Sequence, residues 1–129
     1  MHYENYLREQ DSKTKSYTFT LKDVKKPQIE HIAPQTENGE KLASGYCEYD
    51  DDFRQKHLHC IGNLLLIGAS QNSAIGNNPL KDKLASYENT PLIQQRQIKD
   101  FAVNEKWEKD SITKRHEEIK DFVLETWSF

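Results

Sequence analysis

Prolines at 27 and 34 constrain this chain more tightly than any other feature. Proline lacks a backbone donor and biases the residue before it toward an extended conformation. "QIEHI" therefore enters as a strand, which Pro34 ends. The strand carries a carboxylate, Glu30, and an imidazole, His31, side by side. Neighbours on a regular strand point to opposite faces, so these two cannot both stand on one side of a sheet.

Residues 35–56 hold Gly39, Gly45 and many polar side chains, and read as a long loop with room for one helical turn. "LHCIGNLLLIGAS" then supplies an apolar run of strand length bounded by Gly68, and "SQNSAIGNNP" leads it into a helix or turn. Farther on the period becomes helical. In "PLKDKLASYEN", Pro79 takes a first helical position and Leu80, Leu84 and Tyr87 share a face. "PLIQQRQIKDFAVNEKW" repeats the pattern with Pro91, Ile98, Phe101 and Ala102. Asp110 or Ser111 can cap a last helix whose Ile112, Ile119, Phe122, Val123 and Trp127 form a stripe. Before the first proline, "SYTFTL" alternates like a short strand, and "HYENYLREQ" reads as a helix end with little nearby to bury its apolar side. Residues 1–27 are thus expected to be a lead-in, part helix and part linker, from a longer protein. Residues 28–129 are expected to be the functional domain.

A length of 129 residues suits one core. At 35% hydrophobic and 30% charged the chain is polar, yet its Trp, Tyr and Phe content is too high for disorder. No apolar run approaches the roughly 18 residues of a membrane span, and the first residues lack a signal peptide's apolar stretch, so a cytoplasmic protein without membrane contact is expected. Cys47 and Cys60 are too few for a disulfide framework and read as free thiols. A net charge of −3 does not announce a polyanion binder. Local charge is lopsided, however: "KTKSYTFTLKDVKK" is basic and "CEYDDD" is acidic.

Strand with Glu-His, loop, strand with Gly-Asn, then Asn near a helix: this order resembles an HNH, or His-Me finger, nuclease. "EHIAP" matches that family's first strand, "GNLLLI" its middle Asn element and Asn72 in "SQNSAIGN" its third, with a nine-residue step from Asn63 to Asn72. A closer likeness is to the domain at the C-terminus of GmrSD-type modification-dependent restriction endonucleases. It rests on "IEHIAPQ", "IGNLLLIGASQN", "NNPLKDK" followed by Tyr87, and a tryptophan with "ITKRHEEI" and "ETW", and runs from about Ile29 to Trp127. The resemblance implies an α+β fold, a ββα-metal hairpin plus helix embedded in a mainly helical domain. It also implies DNA as substrate, a place in a restriction or phage-defence system, and a nucleotide-hydrolysing N-terminal region of the same protein, to which "YENYLR" would lead.

The chemistry agrees with that likeness. Phosphodiester hydrolysis needs a deprotonated water, neutralised nonbridging charge and a stabilised leaving oxygen. Histidine, with a reference pKa of roughly 6.5, suits the first task, and His31 is the candidate base. Mg²⁺ or Mn²⁺ takes oxygen ligands, and Glu30 and the Asn72 side-chain oxygen are the candidates. Glu30 stands where the family more often has aspartate, one methylene shorter. Asn63 is expected on the second strand, where its amide holds the loop or orients His31.

Each motif alone has a plainer explanation: a polar dipeptide in a strand, a Gly-Asn turn, a helix N-cap. Their order and spacing together favour the nuclease. Lys81 and Lys83 are candidate phosphate contacts or, equally, solvated surface. Arg115, flanking the last stripe, is expected to brace the core through an ion pair, and Trp107 and Trp127 to lie in it. His57, His59, Cys60 and Cys47 invite zinc. The chain has no CxxC, though, and on a strand Cys60 would point away from both histidines, which argues against that metal and leaves Cys60 as an apolar filler. The competing class is a noncatalytic DNA-binding or interaction module that keeps the finger as a scaffold.

Overall fold

The computed structural model describes residues 1–10, 18, 20–35 and 42–127. Half of the strand expected in "SYTFTL", residues 16, 17 and 19, lies outside them, and Thr18, Thr20 and Leu21 are not strand. Its last residue, Leu21, begins a 3₁₀ turn, Leu21–Asp23, capped by Thr20, whose backbone N–H donates to Asp23 Oδ2 at 2.7 Å.

The proline-framed segment forms β1, Pro27–His31, and the apolar run forms β2, Leu64–Gly68. They pair antiparallel, from Pro27 opposite Gly68 to His31 opposite Leu64. Leu65 and Ile67 bury one face of β2, while on β1 only Glu30 is buried. Among the described residues between the strands lies one short α-helix, α2 (Asp51–Lys56), which Asp50 caps by accepting from Phe53 N–H. A 3₁₀ turn, Ile61–Asn63, then delivers β2, so Asn63 precedes the strand instead of lying on it.

Helix α3 (Ala69–Ile75) leaves β2 directly, and completes a ββα unit. The expected helical second half follows as α4 (Leu80–Glu88), the two single turns α5 (Ile93–Arg96) and α6 (Ile98–Phe101), and α7 (Lys109–Thr126). The chain is therefore an α+β domain. Among the described residues no helix is long and apolar enough to cross a membrane.

Helix α7 shows what periodicity misses. Glu108, not Asp110 or Ser111, is its N-cap, and Ser111 serves the cap by accepting from Glu108 N–H at 3.2 Å. Ile112, Ile119 and Phe122 are buried as expected, but Val123 and Trp127 are 40% and 45% exposed, so Trp127 is not core. Arg115 is 1% exposed, and its guanidinium donates to the carbonyls of Ile61, Gly62 and Leu64 at 3.1, 3.1 and 2.6 Å. The expected ion pair is replaced by a clamp on the turn that enters β2.

The first helix, α1 (His2–Gln10), is also tied down, contrary to the expectation that little buries it. Glu4 accepts from Ile93 and Gln94 N–H, both at 2.9 Å, and supplies the cap that α5 lacks in its own sequence. Arg8 pairs with Glu4 at 3.0 Å, and the rings of Tyr3 and Tyr6 lie against Phe122.

Close approach at Gly62 joins α7 to the turn before β2. A Cβ there would sit 2.1 Å from Ile112 O and 2.9 Å from His116 N, both backbone atoms of a helix that cannot give locally. Gly62→Ala is therefore expected to lower unfolding free energy by about 3 kcal/mol or more, at the upper end of overpacking costs. Urea denaturation followed by circular dichroism measures it.

Candidate active site

The C-terminal end of β1 opens onto a cleft of about 360 Å³ lined by Ile29, Glu30, His31, Pro34, Gln35, Asn72, Gly76 and Asn77. Three of the residues expected to do chemistry, Glu30, His31 and Asn72, thus share one cleft. Strand alternation remains: Glu30 is 3% exposed and turned inward, whereas His31 stands half-buried at the rim. Because β1 stops at His31 and the chain bends at Ile32 and Ala33, the cleft reaches both.

Glu30 does not stand alone in its buried setting. Lys83 on α4 donates to Glu30 Oε1 at 2.6 Å and to the carbonyls of His31 and Ile32 at 3.1 and 3.0 Å. An ammonium has three donors, and here each has an acceptor. Lys83 is 0% exposed, which corrects its expected role: it has no face to offer a phosphate in solvent. Glu30 Oε2 is buried with no hydrogen-bond partner. Burial pushes the Glu30 carboxyl above its ordinary value, with Lys83 opposing, and the same desolvation lowers Lys83.

The His31 ring is held from two sides. Nε2 lies 3.0 Å from His59 Nδ1, and the Gln35 amide nitrogen lies 3.0 Å from Nε2 and 3.2 Å from Nδ1. Which histidine donates depends on tautomer. Burial pushes the His31 pKa below its ordinary value, and the neighbouring His59 and Lys83 act in the same direction.

Asn72 lies in the middle of α3 and not at its cap. Its amide nitrogen donates to Gln28 Oε1 at 2.9 Å, which leaves Oδ1 as the atom to offer the cleft.

Asn63 is outside the cleft and 0% exposed. Its Oδ1 accepts from Ala33 N–H at 2.8 Å and Trp107 Nε1–H at 2.9 Å, and its Nδ2 donates to Ala33 and Leu58 carbonyls at 3.1 and 2.8 Å. Of its two expected roles the structure places it in the first: it holds the loop after β1 and does not touch the imidazole. Lys81 is exposed and lines a separate depression with Leu84, Ala85, Glu88, Lys99, Ala102 and Glu105.

The cysteine and histidine cluster disperses. His57 caps α2 and His59 sits in the turn after it, so neither lies on a strand. His59 faces His31, while Cys60 packs half-buried against the core, as expected of a filler, with its thiol 3.0 Å from His116 Nδ1. Sequence reasoning missed Gln35, Gln28 and His59 as partners of the site. Gln35 lay in plain view, just after Pro34, but nothing in its type marked it.

These observations define an α+β domain whose ββα unit carries a carboxylate, an imidazole and an amide on one open cleft. The family model for the C-terminal domain of GmrSD restriction endonucleases matches residues 1–122, and the chain belongs to that family. The match includes α1, upstream of the segment that carried the resemblance in sequence. No curated protein and no solved structure matches the chain.

The Lys83 contacts give a direct test. Removing one partner of a buried ion pair strands the other, so Lys83→Met is expected to destabilise the fold by about 3–5 kcal/mol. Lys81→Met, on the exposed side of the same helix, should change stability by less than about 0.5 kcal/mol. Urea unfolding of both variants separates a structural lysine from a surface one.

Proposed function

We propose that this chain is a divalent-metal-dependent HNH endonuclease domain that hydrolyses DNA phosphodiester bonds within a restriction or phage-defence protein. The observation that carries the reading is the convergence of Glu30, His31 and Asn72 on one open cleft, in a member of a restriction endonuclease family. An N-terminal nucleotide-hydrolysing region of the same protein would govern where the domain acts.

The donor set suits a hard cation. Glu30 Oε2 is a buried oxygen without a partner, and Asn72 presents a carbonyl oxygen once its nitrogen is committed to Gln28. Among the described residues no group of three His, Cys, Asp or Glu could hold an ion. Glu30 and Asn72 would hold Mg²⁺ or Mn²⁺ as a pair, with water and phosphate oxygens completing the shell, as is usual for Mg²⁺. Such an ion would supply charge neutralisation at the nonbridging and leaving oxygens.

His31 takes the proton from the attacking water and must be neutral to do so. Its environment favours this state, because burial, His59 and Lys83 all disfavour the imidazolium. Gln35 and His59 fix the ring at the rim. Asn63 positions the chain just beyond the base through Ala33, and Lys83 does so through the His31 and Ile32 carbonyls.

One observation favours a noncatalytic module. Lys83 already occupies Glu30 Oε1, and its positive charge opposes a cation beside the same carboxylate. Calorimetry with Mn²⁺ in the presence of DNA separates the two readings: the nuclease requires metal binding that Asn72→Ala loses.

The central test is plasmid nicking with Mg²⁺ or Mn²⁺. His31→Ala is expected to lower the rate by about 10²–10⁴-fold, the range for a lost general base, with an unchanged circular dichroism spectrum. Undiminished cutting by that variant would sink the mechanism. The pH profile carries a sign. A base whose pKa is lowered stays active until pH falls through that lowered value, so the acid limb of the rate should lie below roughly 6.5. A limb at or above that value would mean that another group titrates.

A further inference from the structure

The basic stretch noted in the sequence ends at Lys25 and Lys26, immediately before β1. Both side chains are exposed, and with Ala69, Ser70 and Ser73 they line a depression of about 340 Å³. Among the described residues that lining contains no carboxylate. Lys56, Lys83, Lys99, Lys109 and Lys120 are each paired with an acid, whereas Lys25 and Lys26 are in no such pair among the described residues. The nearest acid in sequence, Asp23, is turned to the Thr20 N–H and hydroxyl.

The backbone beneath these lysines is held in place. Lys26 has φ 49°, in the left-handed region that residues with a Cβ seldom adopt, so its surroundings and not its own preference set it. The Lys26 carbonyl accepts from Ala69 N–H at 3.0 Å. Gly68 packs so closely that a Cβ on it would lie 3.1 Å from the Lys25 carbonyl. Lys25 and Lys26 are thus fastened to the junction of β2 and α3.

We propose that this depression is a subsite for the DNA phosphate backbone, beside the candidate cleft; the proposal rests on the nuclease reading above and adds a substrate contact to it. Two ammonium groups and two serine hydroxyls suit nonbridging phosphate oxygens and read no base edge. Helix α3 joins the two places, since Ser70 and Ser73 line the depression while Asn72 lines the cleft. Strand β1 spans the gap between them. From Lys26 to Glu30 it advances about 13 Å, at roughly 3.3 Å per residue. That corresponds to about four steps of duplex at 3.4 Å each. A strand seated on Lys25 and Lys26 therefore passes the cleft within about half a helical turn. The subsite takes over the phosphate role that the sequence suggested for Lys83, which is buried.

The test uses the full chain, a fluorescein-labelled duplex and EDTA, with anisotropy titrations between about 50 and about 200 mM salt. The variant Lys25→Gln with Lys26→Asn removes both charges, and asparagine tolerates the left-handed backbone. Its affinity is expected to fall about tenfold or more, and the slope of log K against log salt to shrink by about 1.8. Ser73→Asp, which leaves the Lys26 backbone untouched, should also weaken binding. Unchanged affinity and slope in both variants overturn the subsite, as does a wild-type chain that does not bind the duplex. The catalytic reading is separated by His31→Ala, which should bind like wild type without cutting. If wild type binds with the expected lysine dependence but never nicks plasmid with Mn²⁺, the catalytic reading fails and the subsite stands.

Discussion

A sheet of two short strands is marginal by itself, because it buries little and each strand leaves an edge unpaired. In this chain the hairpin is anchored by one buried amide, that of Asn63. Its four side-chain hydrogen bonds reach both backbone groups of Ala33, the carbonyl of Leu58 at the end of the α2 segment, and the indole of Trp107 ahead of α7. Its own backbone carbonyl accepts from Ile32 N–H at 2.9 Å and continues the ladder one residue beyond the strand. Three parts of the chain far apart in sequence meet at that side chain. A buried amide with all its groups satisfied fixes one geometry, since any shift strands a donor or acceptor away from water.

Lys83 and Arg115 extend the same principle with charge. Neither is used chiefly for a carboxylate: Lys83 spends two of its three donors on carbonyls, and Arg115 is directed to three. Both reach backbone at irregular places, the bend after β1 and the turn before β2, where no regular ladder satisfies the carbonyls. Burying such cations is costly, and that cost is offset only where several acceptors converge. Polar side chains thus fix both strands at the one end of the hairpin where the candidate cleft is built, while β2 supplies the apolar face through Leu65 and Ile67.

What was legible in the sequence was what local chemistry decides. Proline framing placed β1, an apolar run bounded by Gly68 placed β2, and spacing placed α4 and α7. The association of Glu30, His31 and Asn72 was legible through the order of motifs. The destinations of long polar side chains were not. Lys83 and Lys81 look alike in "LKDKL", yet one is buried and the other exposed, because only the register of α4 against β1 decides which meets Glu30. Arg115 was read as flanking a stripe that in fact it helps to fill. The α1 helix looked unsupported because its partners lie about ninety residues or more away: backbone N–H groups at the N-terminus of α5, which leave no mark on composition, and Phe122 on α7.

The opposition between neighbours on a strand, which argued against a shared task for Glu30 and His31, is resolved by where β1 ends. In the middle of a wide sheet the two side chains would be separated by the sheet itself. Here His31 is the last residue of the strand, and the chain then bends, held by Asn63 on one side and Lys83 on the other. The inward residue keeps one carboxylate oxygen bound to Lys83 and the other without a partner. The outward residue curls over the rim, against His59 and Gln35. Alternation is then an advantage: two groups adjacent in sequence approach one cleft from different depths, the acid in a desolvated position and the imidazole near water. A hairpin that continued past His31 would separate them again, so the bend that Asn63 holds shapes the candidate site as much as the fold.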